Sequence, residues 1–187
     1  MKKLPYSLLI LPLLFFATHA LSQSHMYMKV IASGYSFNGG VTDAGYQNQI
    51  SVFSYADGLQ GCGTTSTSTT SVGGCKTSLS PFQAIIPLSL ATIDFRSAML
   101  QGKILSSVEL VVTRSSGETS LAYYKIQMQN VSISSVQEGA SNGETVQTIS
   151  VSLIPTKIIW TLISQTATGA PGTTSSYGWD FSKNAPL

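Results

Sequence analysis

Between residues 105 and 163 the chain repeats one pattern, apolar and polar residues in alternation, and a period of two allows little besides half-buried β-strands. In 105–113, Val108, Leu110 and Val112 face one way, Glu109 and Val111 the other. In 121–134, Tyr124, Ile126 and Met128 lie opposite Tyr123, Lys125 and Gln127. Segment 144–153 sets Val146, Thr148 and Ser150 against Gln147, Ile149, Val151 and Leu153; Pro155 interrupts, and 157–163 resumes as a separate strand. Turns are expected at 115–118 and at 138–143, where Asn142-Gly143 is a favoured turn dipeptide. Upstream, strands are expected at 25–32, 48–55 and 82–88, the last with Pro81 and Pro87 at its ends, where proline is tolerated. Residues 34–45 and the polar excursion 57–80 read as loops, and the Ser/Thr/Gly/Pro-rich tail from 164 carries one apolar cluster at 177–181. Short strands in this number predict a mainly β domain, a small barrel or a sandwich.

One segment breaks the pattern. Thr92 is placed to cap a helix over 93–101, its hydroxyl accepting from an orphan backbone N–H. Asp94 falls in the first turn, where the helix dipole favours a carboxylate. Phe95 and Met99 lie four apart on one face with Ala98 beside them, and Gly102 suits the position just past the end.

The N-terminus reads as a targeting segment. Met1-Lys2-Lys3 is a short positive region, 4–16 is an apolar run, and Ala17-Thr18-His19-Ala20 offers a small-residue cleavage site after Ala20. The run is short for a membrane span. The expected organisation is therefore a signal peptide over 1–20 and a single domain over 21–187, secreted or periplasmic, with no membrane contact after leader removal. The whole chain has ten Lys+Arg and eight Asp+Glu; losing Lys2 and Lys3 brings the mature net charge to zero. That balance leaves no electrostatic footprint for nucleic acid and little repulsion between copies of the chain. Cys62 and Cys75 flank a run of small polar residues, and export meets an oxidising compartment, so a disulfide between them is expected to staple the excursion. The chain-entropy cost of such a loop makes the bridge worth about 3 kcal/mol.

Residues that carry chemistry are scarce. Once the leader is removed, His25 is the one histidine, in a strand start where a surface role is expected, so neither a Ser-His-Asp nor a Cys-His arrangement finds its base. Two cysteines and one histidine do not make a structural zinc site. No nucleophile elbow, phosphate loop or dinucleotide fingerprint occurs. The acids, Asp43, Asp57, Asp94, Glu109, Glu118, Glu138, Glu144 and Asp180, fall largely in turns and loops, and read as solvated charges rather than a glycosidase pair. The expectation is a non-enzymatic protein with no catalytic residues, cofactor or metal.

Several stretches, taken in order, resemble the Hcp family, the haemolysin-coregulated tube proteins of type VI secretion systems. They are Met26-Tyr27-Met28-Lys29-Val30, then Ala91-Thr92 through Met99-Leu100-Gln101-Gly102-Lys103, then Tyr124-Lys125-Ile126 through Asn130-Val131-Ser132-Ile133-Ser134-Ser135-Val136, then Lys157-Ile158-Ile159-Trp160 and Tyr177-Gly178-Trp179-Asp180. The resemblance implies a small β-barrel flanked by one short helix, self-association into hexameric rings that stack into a tube, and a lumen that carries effector proteins. It also implies that the polar excursion is the family's extended loop, which reaches toward the next ring. The leader departs from the family pattern, whose tube proteins leave through their own machine. The function expected is a structural and transport subunit; the alternative is a secreted β-barrel binding module or surface-assembly subunit that kept the fold but not the tube role.

Overall fold

The computed structural model describes residues 24–61, 77–116, 119–140, 146–166 and 169–187. Among the described residues, nine strands and one helix follow in the order β1 (Ser24–Ile31), β2 (Ile50–Ser51), β3 (Ser54–Gln60), β4 (Ser78–Pro87), α1 (Leu90–Leu100), β5 (Leu105–Ser116), β6 (Thr119–Gly139), β7 (Thr148–Gln165), β8 (Pro171–Asp180) and β9 (Ala185–Pro186). The alternation read from the sequence dictates the core. Val108, Leu110 and Val112 of β5 and Ile126 and Met128 of β6 are buried, and so are Ile149, Val151 and Leu153 of β7. All join one apolar cluster with Met28, Val30, Phe82 and Phe95.

All strands belong to one antiparallel sheet in the order β2-β1-β5-β6-β7-β4-β3, with β8 also on β7 and β9 on β8. The ladder does not close into a ring of paired strands, yet its two ends are neighbours. β2 at one end and β3 at the other are separated only by Val52 and Phe53. Val52 N–H donates to Met26 O of β1 at 2.9 Å, and Phe53 N–H donates to Ile85 O of β4 at 2.8 Å. The expected strand 48–55 is thus a corner, half on each end of a curled sheet.

Other boundaries move for similar reasons. Pro155 does not divide β7: Pro155 lies opposite Val131 next to Asn130, whose φ is +50°, and on the other edge of β7 the pairing with β4 ends at Leu153 before that with β8 begins at Lys157. Proline is accepted where the ladder is already irregular. Pro81 lies inside β4 rather than at its start. The expected turn at 138–143 begins later, because β6 pairs with β7 as far as Gly139. The excursion is strand at both ends, a hairpin in which Gly58, Leu59 and Gln60 pair with Ser80, Leu79 and Ser78. Most of the tail is strand too, since β8 lies along β7 from Lys157 to Gln165.

α1 begins three residues before the expected start. Ser89 is its N-cap, and Thr92, at the third helical position, accepts from Ser89 N–H through its hydroxyl at 3.2 Å. The C-terminus is as expected: Gly102, at φ +63°, lets Gly102 N–H reach Met99 O and Lys103 N–H reach Ala98 O, the paired bonds of a Schellman end. Phe95 and Ala98 are buried with Ala91 and Thr92, whereas Met99 turns outward.

The loop between β1 and β2 is packed rather than open. Phe37 is buried and meets Phe95 edge-on at 4.9 Å. Its backbone N–H donates to Asp94 Oδ2 at 2.9 Å, so Asp94 fastens this loop rather than the helix's first turn. Gly39 crosses β2 so closely that a Cβ there would sit 2.4 Å from Ile50 Cα, a passage only glycine permits.

Candidate functional site

The described carboxylates are fasteners. Asp43 Oδ2 accepts from the Tyr27 hydroxyl at 2.5 Å, under a Tyr27–Tyr46 stack at 4.1 Å. Asp57 Oδ2 accepts from Trp160 Nε1 at 2.6 Å, Glu109 accepts from Gln127 at 2.8 Å, and Glu138 pairs with Arg96 of α1. Asp180 is buried; its Oδ1 accepts from the backbone N–H and hydroxyl of Ser182 and from Lys183 N–H, and Lys157 Nζ stands 3.7 Å from Oδ2. The Ser182 hydroxyl bond is the largest influence holding the Asp180 carboxyl below its ordinary pKa, against the opposing cost of burial. The expectation of solvated charges is corrected at Asp180, which the turn into β9 buries, whereas Asp43 and Glu138 keep their exposure to solvent while bonded. Glu118 and Glu144 lie outside the described residues, as do Cys62, Cys75 and Ala20.

Burial pushes several tyrosines upward. Tyr124 is raised to about 12, first by desolvation and then by Tyr55 and Asp57. Tyr27 is raised by burial and by the bond to Asp43. A phenol held protonated in this way serves as a packed hydrogen-bond donor, not as a base. His25 is exposed in β1, its ring stacked 6.2 Å from Tyr27. Among the described residues no three His, Cys, Asp or Glu side chains converge to hold a metal ion.

What the fold presents instead is surface. The register places Lys29, Glu109, Gln127 and Ile159 in one row across the outer face of β1, β5, β6 and β7, beside a row of Tyr27, Val111, Lys125 and Thr161 whose first two members are buried. Charges of both signs are interspersed on this face, and a groove of about 190 Å³ with a mixed polar and apolar lining runs between Lys29, Ile31, Gln127 and Gln129.

α1 differs from the sheet. One side packs on the core, while on the other side Leu90 is 74% exposed, Ile93 63% and Leu100 87%. At 100° per residue these three share one stripe, with Arg96 at its margin. Leu88 and Ile104, just outside the helix ends, are exposed as well. Sequence reasoning sought the buried side of this helix and missed the outer one. The signal was present in the residue types, because leucine, isoleucine, phenylalanine and methionine are spread round the circumference of 90–100 rather than gathered on one side.

No helix among the described residues is long and apolar enough to cross a membrane. Among curated proteins, none matches the chain. Solved structures share the fold. A type six secretion system protein superposes with a TM-score of 0.78 at 22% identity, covering 88% of this chain and 100% of its own. Hcp1 from Salmonella typhimurium gives 0.69 at 20% identity, covering 88% and 99%. A type VI secretion system effector from Yersinia pestis gives 0.62 at 21% identity, covering 83% and 98%. The family model described as "Type VI secretion system effector, Hcp" matches residues 27–162, well over half of the chain. The curled β-sheet with one capped helix against its side and the match along most of its length agree: the chain belongs to the Hcp family of type VI secretion proteins.

Proposed function

We propose that this chain is a non-enzymatic tube subunit that associates with copies of itself into closed hexameric rings, able to stack and to carry effector proteins. The observation that carries the reading is the outer face of α1, where Leu90, Ile93 and Leu100 form an apolar stripe. Water-exposed stripes of this kind are stable when another surface covers them. A ring uses a heterologous contact, in which one face of each subunit meets a different face of the next, so a single apolar stripe per copy suffices. Loss of the leader brings the net charge to zero, which leaves long-range repulsion too weak to oppose such contacts.

The leader, residues 1–20 with cleavage after Ala20, adds a second element: delivery of the domain 21–187 to the periplasm or beyond, where Cys62 and Cys75 form a bridge. Delivery away from a cytoplasmic assembly site also favours a second reading, a secreted binding or surface-assembly module on the same fold. Light scattering on the mature protein, purified from the periplasm without reductant, separates the two. A hexamer mass is expected. A monomer at micromolar concentration would overturn the ring and leave the module.

A further inference from the structure

The apolar rows that form the core do not stop where the core stops. Across the sheet, Met28 is paired with Leu110, Leu110 with Ile126, Ile126 with Trp160 and Trp160 with Tyr177. Directly paired residues share one face of a sheet. The first three are fully buried, Trp160 is half-buried and Tyr177 is 58% exposed, so the cover is withdrawn as the row reaches β8. A second row, Val108 to Met128 to Ile158 to Trp179, ends the same way on a half-buried indole.

The cause is a fork. β4 pairs with β7 only as far as Phe82 opposite Leu153, and its first residues continue with β3 alone, while β8 takes over that edge of β7 from Lys157. Between the two branches lies a cleft of about 300 Å³ lined by Leu59, Thr77, Trp160, Tyr177, Trp179 and Phe181. Its wall has an unmet need: Trp179 Nε1 is buried without a hydrogen-bond partner. A buried donor in that state costs free energy until an acceptor arrives.

The cleft adjoins an open ladder. β9 pairs only with Trp179 and Asp180, and Leu187 N–H donates to Gly178 O at 3.1 Å. Because successive residues of a strand point their backbone groups to opposite edges, Ser176 and Thr174 present their N–H and C=O on the same edge as Gly178. Among the described residues no strand pairs with that edge from 171 to 177, and the segment Thr173-Thr174-Ser175-Ser176 has no charge to discourage pairing.

We propose that this fork is a binding site for an extended polypeptide of a partner protein, one that adds a strand to the free edge of β8 and seats a large apolar side chain between Leu59, Trp160, Tyr177 and Trp179. A strand added beside β8 directs every second side chain to the face that bears the cleft. Its carbonyls supply acceptors for the outward N–H groups of Thr174 and Ser176. A sugar could stack on the same rings but would leave the row of backbone groups on β8 unpaired, so the edge selects a peptide. The site does not depend on ring formation.

The chain has two tryptophans, and both line the cleft, so intrinsic fluorescence reports on this site. The probe is a blocked peptide in which threonine alternates with phenylalanine, titrated into the mature full-length protein; a peptide alternating threonine with alanine is its control. We expect a saturable change in tryptophan emission with the first peptide only. Thr174→Pro with Ser176→Pro, which removes two outward N–H groups and leaves the bonds to β7 in place, should weaken binding about tenfold or more with an unchanged Tm. Leu59→Ala, read through both tryptophans, should cost about tenfold by removing the exposed apolar wall that β3 gives the cleft. Absence of a saturable signal, or equal affinity in the double proline variant, would overturn the proposal. So would a fall in native mass in that variant without peptide, because the edge would then belong to a second copy.

Discussion

Asp180 shows how one residue can close a fold. Its Oδ1 gathers the Ser182 hydroxyl at 2.5 Å, the Ser182 N–H at 2.9 Å and the Lys183 N–H at 3.2 Å, which fixes the turn that returns the chain to pair β9 with β8. These bonds favour the charged carboxylate, so its folded pKa lies below the unfolded one. The contribution to stability is therefore full above the ordinary carboxylate range and is lost as pH falls through the lowered value. Asp180→Ala should lower the Tm at neutral pH and reduce the further loss of stability as pH falls through and below the ordinary carboxylate range. Circular-dichroism melts of both proteins across that range check it, and parallel acid profiles would show that the carboxylate carries no such role. The sequence presents Asp180 as one more acid in a polar tail. Its partners at 182 and 183 are close enough to suspect an Asx-type turn, but Lys157 becomes a neighbour only through the register of β7 with β8, which residue types do not specify. Phe37 is the reverse case: a residue in a glycine-rich loop that turns out to be core, because Asp94 and Phe95 hold it on the helix.

At the scale of elements, what was legible is what obeys local rules. The strands with clean alternation, β5 and the middle of β6, lie where the period places them, β1 lies where β-forming residues gather, and the end of α1 follows from Gly102. The start of α1 was misplaced because Thr92 satisfies the cap chemistry equally well from the third helical position, bonding back to Ser89 N–H. Strand ends were misjudged wherever pairing partners, rather than residue preference, decide them. β8 has a loop's composition and is a strand because β7 offers it an edge. The hairpin β3–β4 likewise runs to Gln60 opposite Ser78, so its ladder stops one residue short of Gly61 and two short of Cys62. A bridge between Cys62 and Cys75 would extend this hairpin covalently beyond its last paired residues. Cys62→Ser with Cys75→Ser is expected to lower unfolding stability by about 3 kcal/mol, measured by urea denaturation of the exported protein. Thiols that alkylate without prior reduction would contradict the bridge before any melt is recorded.

For the whole molecule, the curled sheet is nearly sufficient to explain itself. Its two ends meet through Val52 and Phe53, α1 plugs one side through Phe95 and Ala98, and the Arg96–Glu138 pair ties the helix to β6. What this arrangement leaves without an internal reason is the outer stripe of α1. Sequence periodicity could place a helix there, but only the packing shows which side is already occupied and therefore which apolar residues remain in water. If copies cover that stripe, a charge on it must be desolvated at the contact, whereas in the monomer the same charge stays hydrated. Ile93→Lys together with Leu100→Lys should therefore leave the folding of the isolated subunit within about 0.5 kcal/mol, as surface changes do, and should convert the expected hexamer to monomer. Light scattering reads the mass and a thermal melt reads the fold. An intact hexamer in this variant would place the contact elsewhere on the surface, on the mixed-charge sheet face or at a strand edge. Loss of both mass and melting temperature would mean that the stripe supports the subunit itself. The informative result is dissociation with an unchanged Tm, because only a surface that is free in the monomer and buried in the ring produces it.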